Sequence, residues 1–265
     1  MDSVAQFKEV QKENWAKFIP LETITTPPAA HLVRHAEVKS GMRVLDVGCG
    51  TGVVAITAAR QGATVTGTDL TPALLERARE NARIAEVDIQ WLEADVEELP
   101  FEDAKFDVVL SQFAHIFAPR PEIALQQMLR VLKPGGTIAF STWPPELLVG
   151  TTMAVISRYM PPPPVEMPPP TLWGDPNAMR QRLGAAVKNV VFDRGCMLSP
   201  ALSLQHFRLN IESTAGPVVK LVAQLSASDP ERLRKFRQEF DSIVATYFRD
   251  NVVRQDFLLT RATKL

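Results

Sequence analysis

Residues 44–56, VLDVGCGTGVVAI, decide the fold. Gly48, Gly50 and Gly52 fall within five positions between two apolar runs. Glycine loses more conformational freedom on folding than any other residue and weakens a regular element that contains it. The cluster therefore marks a turn from a short, β-branched strand (MRVLDVG) into a helix (TGVVAITAARQG) that ends at Gly62. A strand, a glycine turn and a helix start gather backbone N–H groups at one point, and residues without Cβ let a small ligand approach the main chain.

Working outward, the same alternation continues. ATVTGTDL reads as a second strand. Thr71 and Pro72 supply an N-cap and a first helical position for PALLERARENARIAE. DIQWLEAD and FDVVLSQ read as the third and fourth strands. PEIALQQMLRVLK reads as a helix stopped by Pro134, Gly135 and Gly136, and TIAFSTW as the fifth strand. VKNVVFDRG and the closing segment 251–265, with QDFLLTRAT, supply strands six and seven. Strand and helix in turn, with short links, predict an α/β fold: a Rossmann-like, seven-stranded, mostly parallel sheet with helices on both faces. Ligands of such sheets sit beyond the carboxyl ends of the strands, here in the loops after Val47, Asp69, Asp95 and Leu110.

The flanks differ from this core of residues 41–143. Residues 1 to about 40 read as helical, with Trp15 and Phe18 on one face and a break at Pro27 and Pro28. Residues 144–176 include MPPPPVEMPPP, a composition that excludes regular helix and central strand and suits a polyproline II linker or a rigid lid. Residues 200–226 read as helical, and DPERLRKFRQEFDSIVATYF as a longer helix capped by Asp229 or Ser228, with its charges on a wet face. Segments 1–40 and 144–250 would form a helical cap on the core, in one domain of 265 residues.

Composition narrows the function. With 46% apolar residues, 22% charged residues and a net charge of −1, there is neither a basic excess for nucleic acid nor a charged tail. Cys49 and Cys196 form no CxxC pair, so neither a disulfide framework nor a cysteine-rich zinc site is expected, and no metal is assigned. No apolar run reaches the ~18 residues of a membrane span, and the segment MDSVAQFKEVQKENWAKF lacks a signal-peptide centre; the expectation is a cytoplasmic protein. The number of subunits stays open.

Asp69 ends the second strand, where a carboxylate can accept hydrogen bonds from two ribose hydroxyls. Loop and acid together suit either a dinucleotide or S-adenosylmethionine. The motifs VLDVGCGTG, GTDL, EAD and VLKPGG, in that order, resemble the class I S-adenosylmethionine-dependent methyltransferases over residues 43 to about 142. The branch they resemble is type 11, the ubiquinone/menaquinone-biosynthesis-like, small-molecule branch. The resemblance implies that Asp46 and the loop Gly48, Cys49, Gly50, Thr51 and Gly52 hold the methionine part of the cofactor. It implies that Asp69 holds the ribose, with Leu70 beside the adenine. Asp95 would receive the adenine amino group, with Val96 offering its N–H, and Ser111 and Gln112 would lie beside the transferred methyl. S-adenosyl-L-homocysteine would be the product and a small molecule the methyl acceptor. Gln127 stands where many relatives have a glutamate, on an outer helix where no effect on chemistry is expected.

Charge agrees with this cofactor: Asp46 inside the loop would repel a pyrophosphate but suits an ammonium or sulfonium ion. Two alternatives remain at this stage, a nicotinamide-dependent oxidoreductase and a non-catalytic S-adenosylmethionine-binding module. No Asn/Asp-Pro-Pro-Tyr-type motif follows strand four, where the residues are SQFAHIF. His115, four residues past Ser111, is the candidate general base, with a packed histidine as its other reading. Cys49 reads as a small filler or a thiol activated at a helix start. His31, His35 and His206 lie in the flanks without a metal-ligand pattern, and Trp15, Trp143 and Trp173 read as core or pocket lining.

Overall fold

The computed structural model describes residues 3–162 and 165–265. Eight strands form one sheet: β1 Arg43–Val47, β2 Thr64–Asp69, β3 Gln90–Glu93, β4 Phe106–Gln112, β5 Leu132–Thr142, β6 Val187–Pro200, β7 Phe248–Arg249 and β8 Val252–Lys264. Its order is β3-β2-β1-β4-β5-β8-β6, with the two-residue β7 pairing β8. β1 to β5 are parallel, and β8 runs antiparallel between β5 and β6. The helices are α1 Ser3–Ala16, α2 Glu22–His35, α3 Val53–Ala59, α4 Pro72–Ile84, α5 Pro121–Val131, α6 Leu148–Tyr159, α7 Pro176–Leu183, α8 Leu204–Thr214, α9 Gly216–Ser228 and α10 Pro230–Ala245.

The mostly parallel, helix-flanked sheet is as the alternation predicts, with β7 as an eighth strand too short to show in sequence. β1, β4 and β5 are covered on both faces, which is why they read as unbroken apolar runs. Strand order reverses at β1, between β2 and β4, and the crevice at such a point is where open α/β sheets take ligands. A second apolar cluster, including Leu148, Phe207, Leu221, Phe236, Phe240 and Val253, lies among α6, α8, α9 and α10.

Several local expectations are corrected. Pro27 and Pro28 do not break the N-terminal helix; α2 runs through both. Burial of Pro28, Ala29, Leu32 and Val33 holds it, and the Thr25 and Thr26 hydroxyls bond to carbonyls of the first turn. Residues 144–176 do contain a regular helix, α6, because the prolines flank Leu148–Tyr159 rather than interrupt it. Of MPPPPVEMPPP, positions 163 and 164 lie outside the described residues. α5 ends at Val131, before the Pro-Gly-Gly stop: Leu132 already pairs with Phe106, and the register then jumps to Val108 with Thr137, leaving Pro134 to Gly136 as an irregularity inside β5. The span 200–226 is two helices, parted at Ala215, and Gly216 packs against Asn14 of α1. Asp229 caps α10, its side chain accepting from the Arg232 N–H.

Candidate functional site

The glycine turn joins β1 to α3. All three glycines have positive φ, +64° at Gly48, +53° at Gly50 and +87° at Gly52, a region costly for other residues. A Cβ on Gly48 would lie 2.3 Å from the Cβ of Ala114, and one on Gly52 would lie 2.8 Å from the Trp91 ring. A Cβ on Gly50 would meet nothing within 4 Å. Ligand approach, the reason the sequence suggests for all three, is available at Gly50. Gly48 and Gly52 make room for protein neighbours instead. Thr51 is buried and its carbonyl accepts from Asn81 Nδ2.

Two carboxylates lie under this turn. Asp46 is 1% exposed; Oδ2 accepts the Ala55 N–H at 2.9 Å, and Oδ1 has no partner among the described residues. Burial, and secondarily the charge of Asp69, push its pKa up to about 7, against the pull of the Ala55 hydrogen bond. Asp69 accepts the Gly50 N–H at Oδ2 and the Thr71 N–H at Oδ1, each at 2.8 Å. Burial raises its pKa as well, although both N–H bonds favour the anion. Cys49, buried beside both acids, has its thiol pKa raised well above the usual value by burial and by those charges. This is a packed, protonated thiol rather than an activated one.

The raised pKa of Asp46 is a stability statement with a definite sign. The folded chain retains a proton there that the unfolded chain releases near 3.8, so the contribution is full below that value and is lost as pH rises through about 7. At about 1.36 kcal/mol per unit, Asp46→Asn is expected to stabilise the ligand-free protein at pH 8 relative to wild type by on the order of 2–4 kcal/mol, and much less at pH 4. Urea unfolding of both proteins at the two pH values checks this; equal differences at both would contradict it.

At the next strand end, Asp95 is half-buried, with Oδ1 accepting the Glu97 N–H at 2.9 Å and Oδ2 facing Lys8 Nζ at 2.5 Å. Leu70 and Val96 are half-buried beside these acids in sequence. Ser111 Oγ donates to Val47 O at 2.7 Å and ties β4 to the end of β1. Gln112 Nε2 donates to Thr25 O at 2.9 Å, while its Oε1 is buried without a partner among the described residues. Phe113 then adopts φ +58°, a strained conformation for a bulky residue, and stacks on Trp143 with ring centroids 4.0 Å apart. Phe257 meets both rings edge-on.

The structure places His115 in the core. It is 1% exposed, wedged against Phe140 and Trp173, and neither ring nitrogen has a partner among the described residues. Burial, with a smaller push from the Arg182 charge, lowers its pKa to about 3. Trp173 and Trp143 are buried, so the core reading of these aromatics fits their positions. His31 sits 3.3 Å from Asp193, and His206 Nδ1 accepts the Leu202 N–H. Among the described residues no group of three or more His, Cys, Asp and Glu side chains comes together as a metal site, and no helix is long and apolar enough to cross a membrane.

Sequence reasoning missed four contributors. Trp91 faces Gly52 and Gly67 and shapes the glycine turn. The apolar pair Trp91–Leu92 between the polar ends Gln90 and Glu93 of β3 could have signalled it. Glu97, two residues beyond Asp95, is 6% exposed and takes both Lys8 and Arg120. Phe113 and Lys8 gave no signal, because the positive φ of one and the docking of the other are tertiary facts.

These features sit on a chain with clear relatives. A methyltransferase-domain family model matches residues 45–140. An uncharacterized protein of Mycobacterium tuberculosis is 33% identical over 244 residues, 92% of this chain and 89% of that one. The ubiquinone biosynthesis O-methyltransferase of Salmonella arizonae is 32% identical over 145 residues, 53% of this chain and 60% of that one. Among solved structures, the YcgJ protein of Bacillus subtilis matches with a TM-score of 0.59 at 19% identity, over 89% of this chain and 97% of its own, a likeness of fold. The chain belongs to the class I S-adenosylmethionine-dependent methyltransferases, in the type 11 branch. Its similarity to the mycobacterial protein extends well beyond residues 45–140, the span that the family model covers.

Proposed function

We propose that this protein transfers the methyl group of S-adenosylmethionine to a small-molecule acceptor, within one domain spanning residues 1–265. One observation carries the cofactor half of this reading: two buried carboxylates, Asp46 and Asp69, lie under a turn whose Gly50 borders open space, with no protein atom within 4 Å of where a Cβ would sit. Burial leaves both acids wanting a positive partner, and a ligand that brings an ammonium and a sulfonium supplies one. A pyrophosphate would meet repulsion there. The residues present therefore fit the cofactor that the family implies.

When bound, the cofactor supplies a methyl group already activated for in-line displacement. The chain's own residues bind, orient and exclude water. In this reading Asp46 neutralises the ammonium, and Gly48, Cys49, Gly50, Thr51 and Gly52 form the cradle of the methionine part. The Asp69 carboxylate retains lone pairs beyond those used by Gly50 and Thr71, and these accept the ribose hydroxyls. Leu70, Asp95 and Val96 take the adenine, while Ser111 and Gln112 floor the reacting end. Phe113, half-buried next to Gln112 and backed by the buried rings of Trp143 and Phe257, gives an apolar side to the reacting end. Methyl transfer from radiolabelled S-adenosylmethionine to a panel of small phenols, amines and carboxylates tests the activity. Tight cofactor binding with no transfer to any of them would favour a non-catalytic module.

His115 has a packing role in this reading, since a ring sealed between Phe140 and Trp173 with a pKa near 3 takes up protons poorly. His115→Phe is expected to keep turnover within about twofold, because an in-line transfer needs no proton from a residue that does not touch the acceptor. A hundredfold loss of kcat would restore it as a base. The same variant should lessen acid lability. The folded-state pKa of His115 lies below its ordinary 6.5, so its contribution is present above that value and is lost as pH falls toward 3.

A further inference from the structure

α1 lies across the carboxyl end of β3 and is fastened there by charge. Lys8 Nζ is 2.5 Å from Asp95 Oδ2 and 2.5 Å from Glu97 Oε2. The Lys8 side chain is 11% exposed and that of Glu97 1%, so this ammonium has left water and depends on its two acids. Four residues on, Lys12 Nζ is 3.0 Å from Glu93 Oε1, at the last residue of β3 and in register with Asp69. At its far end α1 packs Asn14 against Gly216 at the start of α9. The helix thus bridges from the strand end beside Asp69 to the cap.

The two acids are not equivalent partners for Lys8. Glu97 also receives the backbone N–H of Arg120 at 2.7 Å and its guanidinium Nε at 2.9 Å, and is held in place without Lys8. Asp95 is the more exposed of the two, at 25% against 1%, and is approached by no guanidinium among the hydrogen bonds and ion pairs of the described residues. An ammonium that kept Glu97 would remain paired if Asp95 were taken by another donor. Asp95 is therefore the exchangeable partner and Glu97 the permanent one.

We infer that Lys8 is a latch on the cofactor crevice: it holds α1 as a strap over the adenosyl end and occupies Asp95 until an adenosyl ligand claims that carboxylate. Lys8 thereby sets both the affinity and the loading rate of the cofactor. This rests on the assignment of Asp95 to the adenine amino group made above. The amino group of an adenine and the ammonium of Lys8 are both hydrogen-bond donors competing for one carboxylate, and the ammonium, being charged, is the stronger competitor. Removing it frees Asp95 in the unliganded protein and removes one energetic step from loading.

The test uses the full chain with S-adenosylhomocysteine and adenosine as probes, in calorimetry and stopped-flow binding. Lys8→Met keeps most of the apolar stem and deletes the charge. Lys8→Gln, which leaves a donor for Glu97, serves should the first variant fold poorly. Either variant is expected to bind both probes about tenfold more tightly than wild type, with faster association. Lys8→Arg should behave as wild type, and Lys12→Met should change affinity less than twofold. Unchanged or weaker binding in the charge-deleted variants would overturn the latch and make α1 a brace of the bound state. Absence of S-adenosylhomocysteine binding in wild type and variants alike, with normal thermal melts, would instead overturn the cofactor reading on which the latch depends.

Discussion

Asp69→Ala is expected to lower affinity for S-adenosylmethionine by about a hundredfold or more. The carboxylate has two tasks at once. It accepts the Gly50 and Thr71 N–H groups, which fixes the turn, and in the proposed function its remaining lone pairs would accept the ribose hydroxyls. Hydrogen bonds to a charged acceptor contribute about 1.5–3 kcal/mol each, so losing two ribose bonds alone reaches that factor. Leaving two buried N–H groups without an acceptor adds to the loss by loosening the turn. Titration calorimetry of wild type and variant measures the difference directly. An affinity within threefold of wild type would remove Asp69 from the site and leave it a brace only.

The three glycines of the turn should separate into two kinds. Gly48→Ala is expected to destabilise the fold by about 3 kcal/mol, because the new Cβ would overlap Ala114 at 2.3 Å and the backbone on both sides is fixed. A left-handed φ of +64° adds its own strain. For a chain of this length that is a fall in Tm on the order of 10 °C. Gly50→Ala meets no protein atom within 4 Å, so its expense is the strain at φ +53° alone, about 1 kcal/mol. Its methyl group instead enters the open space that the proposed function gives to the ligand, and cofactor affinity is expected to fall at least tenfold while the melt shifts by a few degrees. Thermal melts and calorimetry on the pair decide it. The reverse pattern, a stable Gly48→Ala and a cofactor-competent Gly50→Ala, would mean that the turn is not shaped as described.

The centre of the sheet was legible because β1 and β4 are buried on both faces and carry no alternation to confuse them: Val44 to Val47 and Val108 to Leu110 read as core in sequence and are core in the structure. Punctuation was legible where local chemistry decides it, as at Pro72 opening α4 and the Asp229 cap of α10, although Thr71, at the N-cap position of α4, makes no side-chain capping bond among the described residues. It failed where packing overrides local preference. Pro27 and Pro28 ride within α2 because the helix is pinned by buried Ala29, Leu32 and Val33. Leu132 leaves α5 early because Phe106 offers it a strand partner. At the site, residue types announced themselves but their environments did not. His115 carried the right chemistry at the right distance from Ser111, yet its ring turns into the space between Phe140 and Trp173. Lys8 lies 87 residues from Asp95 in the chain, and no pattern within either segment ties them together.

The central claim is that buried carboxylates beneath an open glycine select a ligand that brings an ammonium, and in S-adenosylmethionine a sulfonium as well, over a pyrophosphate. Calorimetric titration of the protein at pH 8 with S-adenosylmethionine, S-adenosylhomocysteine and NAD tests it most directly. The account predicts saturable binding of both adenosyl ligands, one per chain and weakened by Asp46→Asn, with no heat from NAD. Saturation by NAD alone, with no uptake of either adenosyl ligand, would contradict it.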